Sequence, residues 1–78
     1  MPTVLKLKGY RFFFFSNEGT EPLHIHVEKA ENYAKFWLDP LCVSVNHGFT
    51  SKVLTEISNI IEANDDLIRN KWDEHFSQ

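Results

Sequence analysis

The sequence predicts a small α+β domain, in which an antiparallel sheet of four or five short strands carries a C-terminal helix across one face. Residues 4–46 contain short runs with apolar residues at alternate positions, separated by Gly, Pro and Asn. Residues 51–76 instead space their apolar residues by three and four, which is typical of an amphipathic helix. The chain has 78 residues. That length supports one hydrophobic core, so we expect a single domain over residues 1–78.

Composition and charge limit the classes of partner. Hydrophobic residues make up 42% of the chain and aromatic residues 14%, enough for a packed core. A domain this small still gains stability from a partner or from a second copy of itself, so a homo-oligomer is possible. Eight Lys and Arg stand against eleven Asp and Glu, a net charge of -3. This balance argues against nucleic acid as the main partner, because phosphates require a basic surface.

The sequence also argues against a membrane protein. No apolar run approaches the roughly 18 residues that a membrane-spanning helix needs. The N-terminus lacks the pattern of a signal peptide. We therefore expect a bacterial protein of the cytoplasm that does not associate with membranes.

The first two strands are predicted at residues 4–8 and 10–16. Residues 4–8 alternate apolar and cationic side chains, and Gly9 permits a tight turn after them. The second strand contains four consecutive phenylalanines, residues 12–15, which place aromatic rings on both faces. Such a strand is central in its sheet or covered on both faces, or else one face carries an aromatic surface for a partner. Residues 16–22 are predicted to form a loop.

A β-hairpin is predicted from residues 24–29 and 33–39, after Pro22. A two-residue turn at Ala30 and Glu31 would pair Lys29 with Asn32. This register places every apolar pair on one face, whereas a slip of one residue would mix the faces. The predicted pairs are Val27 with Ala34, Ile25 with Phe36, His26 with Lys35, His24 with Trp37, and Glu28 with Tyr33. The two histidines therefore share one face with Trp37, Tyr33 and Glu28.

A fifth strand is predicted at residues 41–46, with Leu41, Val43 and Val45 pointing inward. Cys42 is the only cysteine. It excludes an internal disulfide and a Cys-rich zinc site, and its apolar neighbours predict a small buried side chain.

The helix is predicted to begin after an N-cap at Thr50 or Ser51. One unbroken helix to Phe76 would be about 39 Å long, more than a small sheet can cover. We favour one bent helix. The alternative is a break at Asn64, followed by a second helix that opens with Asp65 and Asp66. Trp72 and Phe76 would close one end of the core or bind a neighbour.

His24 and His26 support three chemical interpretations. Their backbones lie about 6–7 Å apart on one strand face, a spacing that allows both imidazoles to bind one divalent metal ion. The possible further ligands are Glu18, Glu21, Glu28 and His47.

The second interpretation is a phosphodiester-cleaving site of Arg11, His24, His26 and Lys35. A base and an acid would activate a ribose hydroxyl while cations bind the phosphate, although the acidic total charge opposes this function. In the third, structural interpretation, His24 and His26 bind backbone groups or the carboxylates of Glu21 and Glu28, and so anchor the 16–22 loop.

Several segments together resemble the bacterial family known as domain of unknown function 4160. They are MPTVL at 1–5, RFFFFSNE at 11–18, EPLHIHVE at 21–28, AKFWL at 34–38, Gly48-Phe49, and NKW at 70–72 with Phe76. The family has no established activity. Its genes commonly lie beside another small gene, in pairs that have been compared with toxin–antitoxin modules. The resemblance thus implies a protein partner and transfers no catalytic residue.

The function we expect is a small protein-interaction module, one member of a two-gene regulatory or toxin–antitoxin-like pair. We assign no catalytic residue and no cofactor, and keep as the alternative a metal-binding or phosphodiester-cleaving protein that uses Arg11, His24 and His26. Exposed aromatic side chains are common anchors of interfaces. The predicted contact residues are Phe13, Phe14, Glu21, His24, His26 and Trp37.

Overall fold

The computed structural model describes residues 3–15 and 20–76. Within these residues, five strands form one antiparallel sheet in sequence order, and two helices follow. The elements are β1 (Thr3–Leu7), β2 (Tyr10–Phe13), β3 (His24–Lys29), β4 (Asn32–Leu38), β5 (Leu41–His47), α1 (Ser51–Ala63) and α2 (Asp65–Phe76). The predicted α+β class is confirmed, with five strands. Residues 16–19 of the predicted loop, which include Glu18, lie outside the described residues.

The predicted register of the central hairpin is confirmed at every pair. Lys29 lies opposite Asn32, and the two histidines lie opposite Trp37 and Lys35. The chain turns at Ala30, whose φ of 54° lies in the left-handed region. The alternation of apolar and polar residues and the two-residue turn together fix this register, because a slip of one residue would turn polar groups toward the core.

The β1–β2 connection is a two-residue turn at Lys8 and Gly9. Both residues have positive φ, 54° and 86°. Turns of this kind need positive φ, which glycine adopts without steric cost. Lys8 belongs to this turn, not to the first strand as predicted, and β2 ends at Phe13, earlier than the predicted Ser16.

The hydrophobic core lies between the sheet and the helices. From the sheet it takes alternate residues of the central strands, and from α1 it takes Ile57, Ile60 and Ile61. The buried core residues of the sheet are Tyr10, Phe12, Phe14, Ile25, Val27, Ala34, Phe36 and Leu38. Thr50, one of the two residues predicted for this position, is the N-cap of α1, because its side chain accepts a hydrogen bond from the backbone N–H of Val53 at 3.2 Å.

Two helices replace the single bent helix that we favoured. α1 ends at Ala63, Asn64 adopts a non-helical conformation, and α2 begins with Asp65 and Asp66. These acidic residues interact favourably with the free N–H groups of the first turn of α2. The side chain of Asn64 also donates to the carbonyl of Ile60 at 2.9 Å, an alternative to the helical hydrogen bonds.

The break allows α2 to close one end of the sheet. Trp72 and Phe76 pack on Phe14, with ring centroids 5.3 and 5.8 Å away, so the predicted role of these residues in closing the core is confirmed. Arg69 fixes this position, since its guanidinium donates two hydrogen bonds to the carboxylate of Asp39, at 2.7 and 3.0 Å. The same contact lowers the pKa of Asp39.

A β-bulge in β5 corrects two predictions. Val43 lies opposite Phe36 and Val45 opposite Lys35, so one extra residue, Ser44, separates two adjacent pairs. Alternation alone predicted that Val45 points inward, toward the helices. The bulge instead places Val45 on the face of Lys35. Cys42, predicted to be buried, is exposed because β5 is an edge strand.

One polar contact joins α1 to the β1–β2 end of the sheet. The buried Tyr10 donates its hydroxyl hydrogen to Glu56 at 2.5 Å. This hydrogen bond, with burial and the Glu56 charge, raises the pKa of Tyr10 to about 12. Folding therefore favours the protonated phenol.

We expect the free energy of unfolding to decrease as pH rises from about 10 to about 12. In that interval the unfolded tyrosine loses its proton while the folded one retains it. Tyr10→Phe should remove this tyrosine-dependent part of the decrease and cost about 1 kcal/mol at pH 8, the typical value of one hydrogen bond. Urea denaturation at pH 8, 10, 11 and 12 measures both effects. Equal slopes against pH in wild type and Tyr10→Phe would show that the contact does not shift the titration.

Candidate functional site

The predicted site residues come together on the face of the sheet that points away from α1. We call this surface the histidine face, and it is built from rows of side chains that cross β2, β3, β4 and β5. Its members are Arg11, Phe13, His24, His26, Glu28, Tyr33, Lys35, Trp37, Cys42, Val45 and His47 of the strands, with Phe15 and Glu21 from the segments next to β2 and β3. Phe14 is the exception among the predicted residues, because its side chain belongs to the helix-side core.

His26 lies at the centre of this face and is 1% exposed. Its ring stacks on Phe13 at a centroid distance of 5.4 Å and contacts Phe15 at 4.3 Å. Its Nδ1 atom is hydrogen-bonded to the hydroxyl of Tyr33 at 2.6 Å. His26 is thus a packed side chain in an aromatic layer, held in orientation by a phenol.

His24 occupies the next position along β3 on the same face and is fully buried. Its Nδ1 lies 2.8 Å from the carbonyl oxygen of Pro22, so the ring donates a hydrogen bond to the backbone that precedes its own strand. Trp37 and Trp72 enclose the ring from two sides, with centroids 5.6 and 5.1 Å away. His24 therefore joins the sheet, the segment before β3 and α2.

These contacts agree in part with the structural interpretation of the two histidines. His24 binds backbone at Pro22, as that interpretation requires. The carboxylates it named have other described partners: Glu21 accepts from Lys35 at 2.8 Å, and Glu28 accepts from Arg11 at 3.1 Å. Tyr33 is the partner that sequence reasoning missed, although the predicted register had already placed it on the same face, diagonal to His26.

Each of the two cations of this face lies over an aromatic ring. The guanidinium of Arg11 is 4.4 Å from the centroid of Phe13, and the ammonium of Lys35 is 4.4 Å from that of Trp37. Cations in this position are attracted to the ring face, and their aliphatic stems cover apolar surface. The two cations thus shield the buried rings from solvent. Each also forms an ion pair, Arg11 with Glu28 and Lys35 with Glu21.

The metal-binding interpretation gains no support from the described residues. Within residues 3–15 and 20–76, no group of three or more His, Cys, Asp and Glu side chains is placed to hold a metal ion. Glu21 and Glu28 are engaged by cations, and His47 stacks on Tyr33 with a centroid distance of 6.1 Å. Glu18, the remaining predicted ligand, lies outside the described residues.

Phosphodiester cleavage is also poorly served by this geometry. A general base must reach the proton that it removes, within hydrogen-bonding distance. His24 and His26 are enclosed by aromatic rings, and Arg11 is paired with Glu28. A substrate would have to displace these rings before it could contact either imidazole.

The exposed layer of the histidine face differs from the predicted contact set. Phe13, His24 and His26 form a buried floor, so a partner could not touch them directly in this conformation, and their role in contact stays a prediction. Above the floor lie half-buried aromatic rings, the paired cations and their carboxylates. The accessible members are Arg11, Phe15, Glu21, Glu28, Tyr33, Lys35, Trp37, Cys42, Val45 and His47.

A groove of about 800 Å³ lies elsewhere, between the β1 end of the sheet and α1, and Leu7, Val53 and Ile60 are among its apolar lining residues. It contains none of the residues that the sequence predicted for a site.

Comparison with known proteins identifies the family and nothing further. The model of the family described as Domain of unknown function (DUF4160) matches residues 9–73. The chain belongs to this family, as its sequence segments predicted. No curated protein and no solved structure matches the chain. In the described part of the chain, no helix is long and apolar enough to cross a membrane.

We expect Tyr33→Phe to destabilise the fold by about 1–2 kcal/mol, because it removes the hydroxyl partner of a buried imidazole nitrogen but keeps the stacked ring. Urea denaturation monitored by tryptophan fluorescence measures the loss. His47→Ala is the matched control, since it removes an exposed ring stacked on Tyr33 and should cost less than about 0.5 kcal/mol. If Tyr33→Phe is as stable as wild type, the contact with His26 does not contribute to folding.

Proposed function

We propose that this member of the family is a protein-interaction module that binds a second small protein through the exposed layer of the histidine face. The partner would be encoded beside it, and the two proteins would form a regulatory or toxin–antitoxin-like pair in the bacterial cytoplasm. The exposed layer of half-buried aromatic rings over a buried floor carries this proposal.

The composition of the exposed layer supports binding to protein. Trp, Tyr and Arg are the residue types most enriched among those that dominate binding energy in interfaces. All three occur here, as Trp37, Tyr33 and Arg11, next to the half-buried ring of Phe15.

The buried floor makes this layer rigid before binding. Trp37 is held between His24 below and Lys35 above, and Tyr33 is fixed by its hydrogen bond to His26. Side chains that are already ordered lose little conformational entropy when a partner covers them. The histidines thus contribute to binding indirectly, by positioning the residues that make contact.

Charge favours a protein partner over nucleic acid. Arg11 and Lys35, the cations that lie over the rings, are each neutralised by a carboxylate at hydrogen-bonding distance. Phosphate binding requires cations that can exchange their counterions for the backbone of a nucleic acid. A complementary partner would present an apolar patch for Trp37 and Phe15, bordered by side chains of both charges.

We expect Trp37→Ala to weaken binding of the partner by at least about 30-fold, equivalent to about 2 kcal/mol for a central aromatic anchor. The tagged chain is purified from its own host cells, and native mass spectrometry identifies any protein bound at a fixed ratio. Calorimetric titration with that purified partner then gives the dissociation constants of wild type and variant.

Leu7→Ala provides the control for this experiment. Leu7 is 39% exposed and lies on β1, away from Trp37, so its variant should bind the partner within about twofold of wild type. Circular dichroism must show that both variants are folded. Full binding by folded Trp37→Ala, or weakening by both variants alike, would contradict the proposal.

A further inference from the structure

We propose that β5 pairs antiparallel with β5 of a second copy of this chain, which joins two five-stranded sheets into one. The inference concerns a surface separate from the exposed rings of the histidine face. It starts from the sheet order, in which β5 is an edge strand whose outer side has no neighbouring strand among the described residues.

β5 lacks the charged residues and proline that usually protect an edge strand, although it has a bulge at Ser44. Edge strands expose unpaired backbone groups, and proteins protect them with charged residues, particularly lysine. Residues 41–46, LCVSVN, contain no charge and no proline, and two of the six are β-branched valines. Val43 is 40% exposed, one of two large apolar side chains at this level of exposure in the described chain.

The opposite edge is different and serves as an internal comparison. β1 carries Lys6 within the strand, and Lys8 follows in the turn. Its exposed apolar residue, Leu7, borders the groove against α1. Two β1 strands brought together would place lysines against each other, whereas two β5 strands meet without any like-charge repulsion.

The absence of charge favours a second copy as the occupant, and the bulge limits the registers in which two copies can pair. Residues directly opposite each other in an antiparallel pair point to the same face. Leu41 and Val43 lie on the helix side, whereas Cys42 and Val45 lie on the histidine face. A two-fold axis through Ser44 would set Val43 against Val45 of the other copy and mix the faces.

One symmetric register keeps the faces separate. An axis at Cys42 places Leu41 opposite Val43 of the second copy, whereas an axis at Val43 would place Leu41 opposite Val45 and mix the faces. In the Cys42 register each strand presents the same short, uncharged segment to the other, which is the isologous arrangement of a C2 dimer. The two Cys42 residues then lie directly opposite each other, with Cα atoms about 4.5–5.5 Å apart.

The pairing places both histidine faces on the same side of the sheet. A two-fold axis perpendicular to a sheet reverses strand direction but does not exchange the faces. Both α1 helices would therefore lie on one side of the joined sheet. Both Trp37 residues would lie on the other, and a partner that binds this face would find two equivalent sites.

The test is the solution mass of the full chain and of Val43→Lys by sedimentation equilibrium. Wild type should show twice the 9.2 kDa chain mass. Val43→Lys should raise the dimer dissociation constant at least about tenfold, because it puts a lysine into the paired segment. Leu7→Lys is the matched control, since Leu7 on the other edge is 39% exposed and its variant should remain dimeric.

Cross-linking of the wild-type chain makes the test independent of whether Val43→Lys folds. Cys42 is the only cysteine, so a short bis-maleimide should convert wild type into a covalent dimer through that residue alone. Monomeric wild type at submillimolar concentration without a cross-linked product would overturn the proposal, as would equal dissociation by Leu7→Lys. A monomer that associates through β5 only with a different protein would replace the second copy by that protein's strand.

Discussion

The face of the sheet that points away from α1 is covered mainly by the sheet's own side chains, and this constraint governs the rest of the structure. The domain has 78 residues and uses its C-terminal third for α1 and α2. α2 reaches the second face at one end, where the ring of Trp72 lies 5.1 Å from that of His24. The strands β2, β3 and β4 therefore carry large side chains on both sides, with isoleucines of α1 over one face and a layer of rings from the strands over most of the other.

His24 and His26 have the spacing of metal ligands, but in this layer they are packed side chains. An imidazole is flat enough to stack on Phe13 and polar enough to bind Tyr33. A phenylalanine in the same position would leave the tyrosine hydroxyl without this partner, and a buried polar group without a partner costs free energy. His24 likewise combines ring packing with a hydrogen bond, which it donates to the carbonyl oxygen of Pro22. This bond joins β3 to the segment before it.

The small number of elements also explains the two surfaces that we propose for binding, the exposed layer of the histidine face and the edge at β5. On the second face, Arg11 lies over Phe13 and Lys35 lies over Trp37. The accessible surface that remains is aromatic, and both cations are paired with carboxylates. At the side, the sheet simply stops at β5, whose uncharged backbone edge is available for another strand. We propose a protein contact at each of the two surfaces. Pairing through β5 would bring two copies of the histidine face onto one side of the joined sheet.

The sequence by itself determined the fold class, the register of the β3–β4 hairpin, an N-cap at Thr50 or Ser51 and the hairpin residues that share the histidine face. These features depend on local alternation and capping, which are written in neighbouring residues. It also contained the break at Asn64, but the choice between one helix and two depended on whether α2 could pack against Phe14. Only the tertiary structure decided that His24 and His26 are buried, that Cys42 is exposed and that Val45 changes face. Burial depends on Trp72 and Tyr33 arriving from other elements, and the face of Val45 depends on a bulge that the alternation of β5 does not reveal.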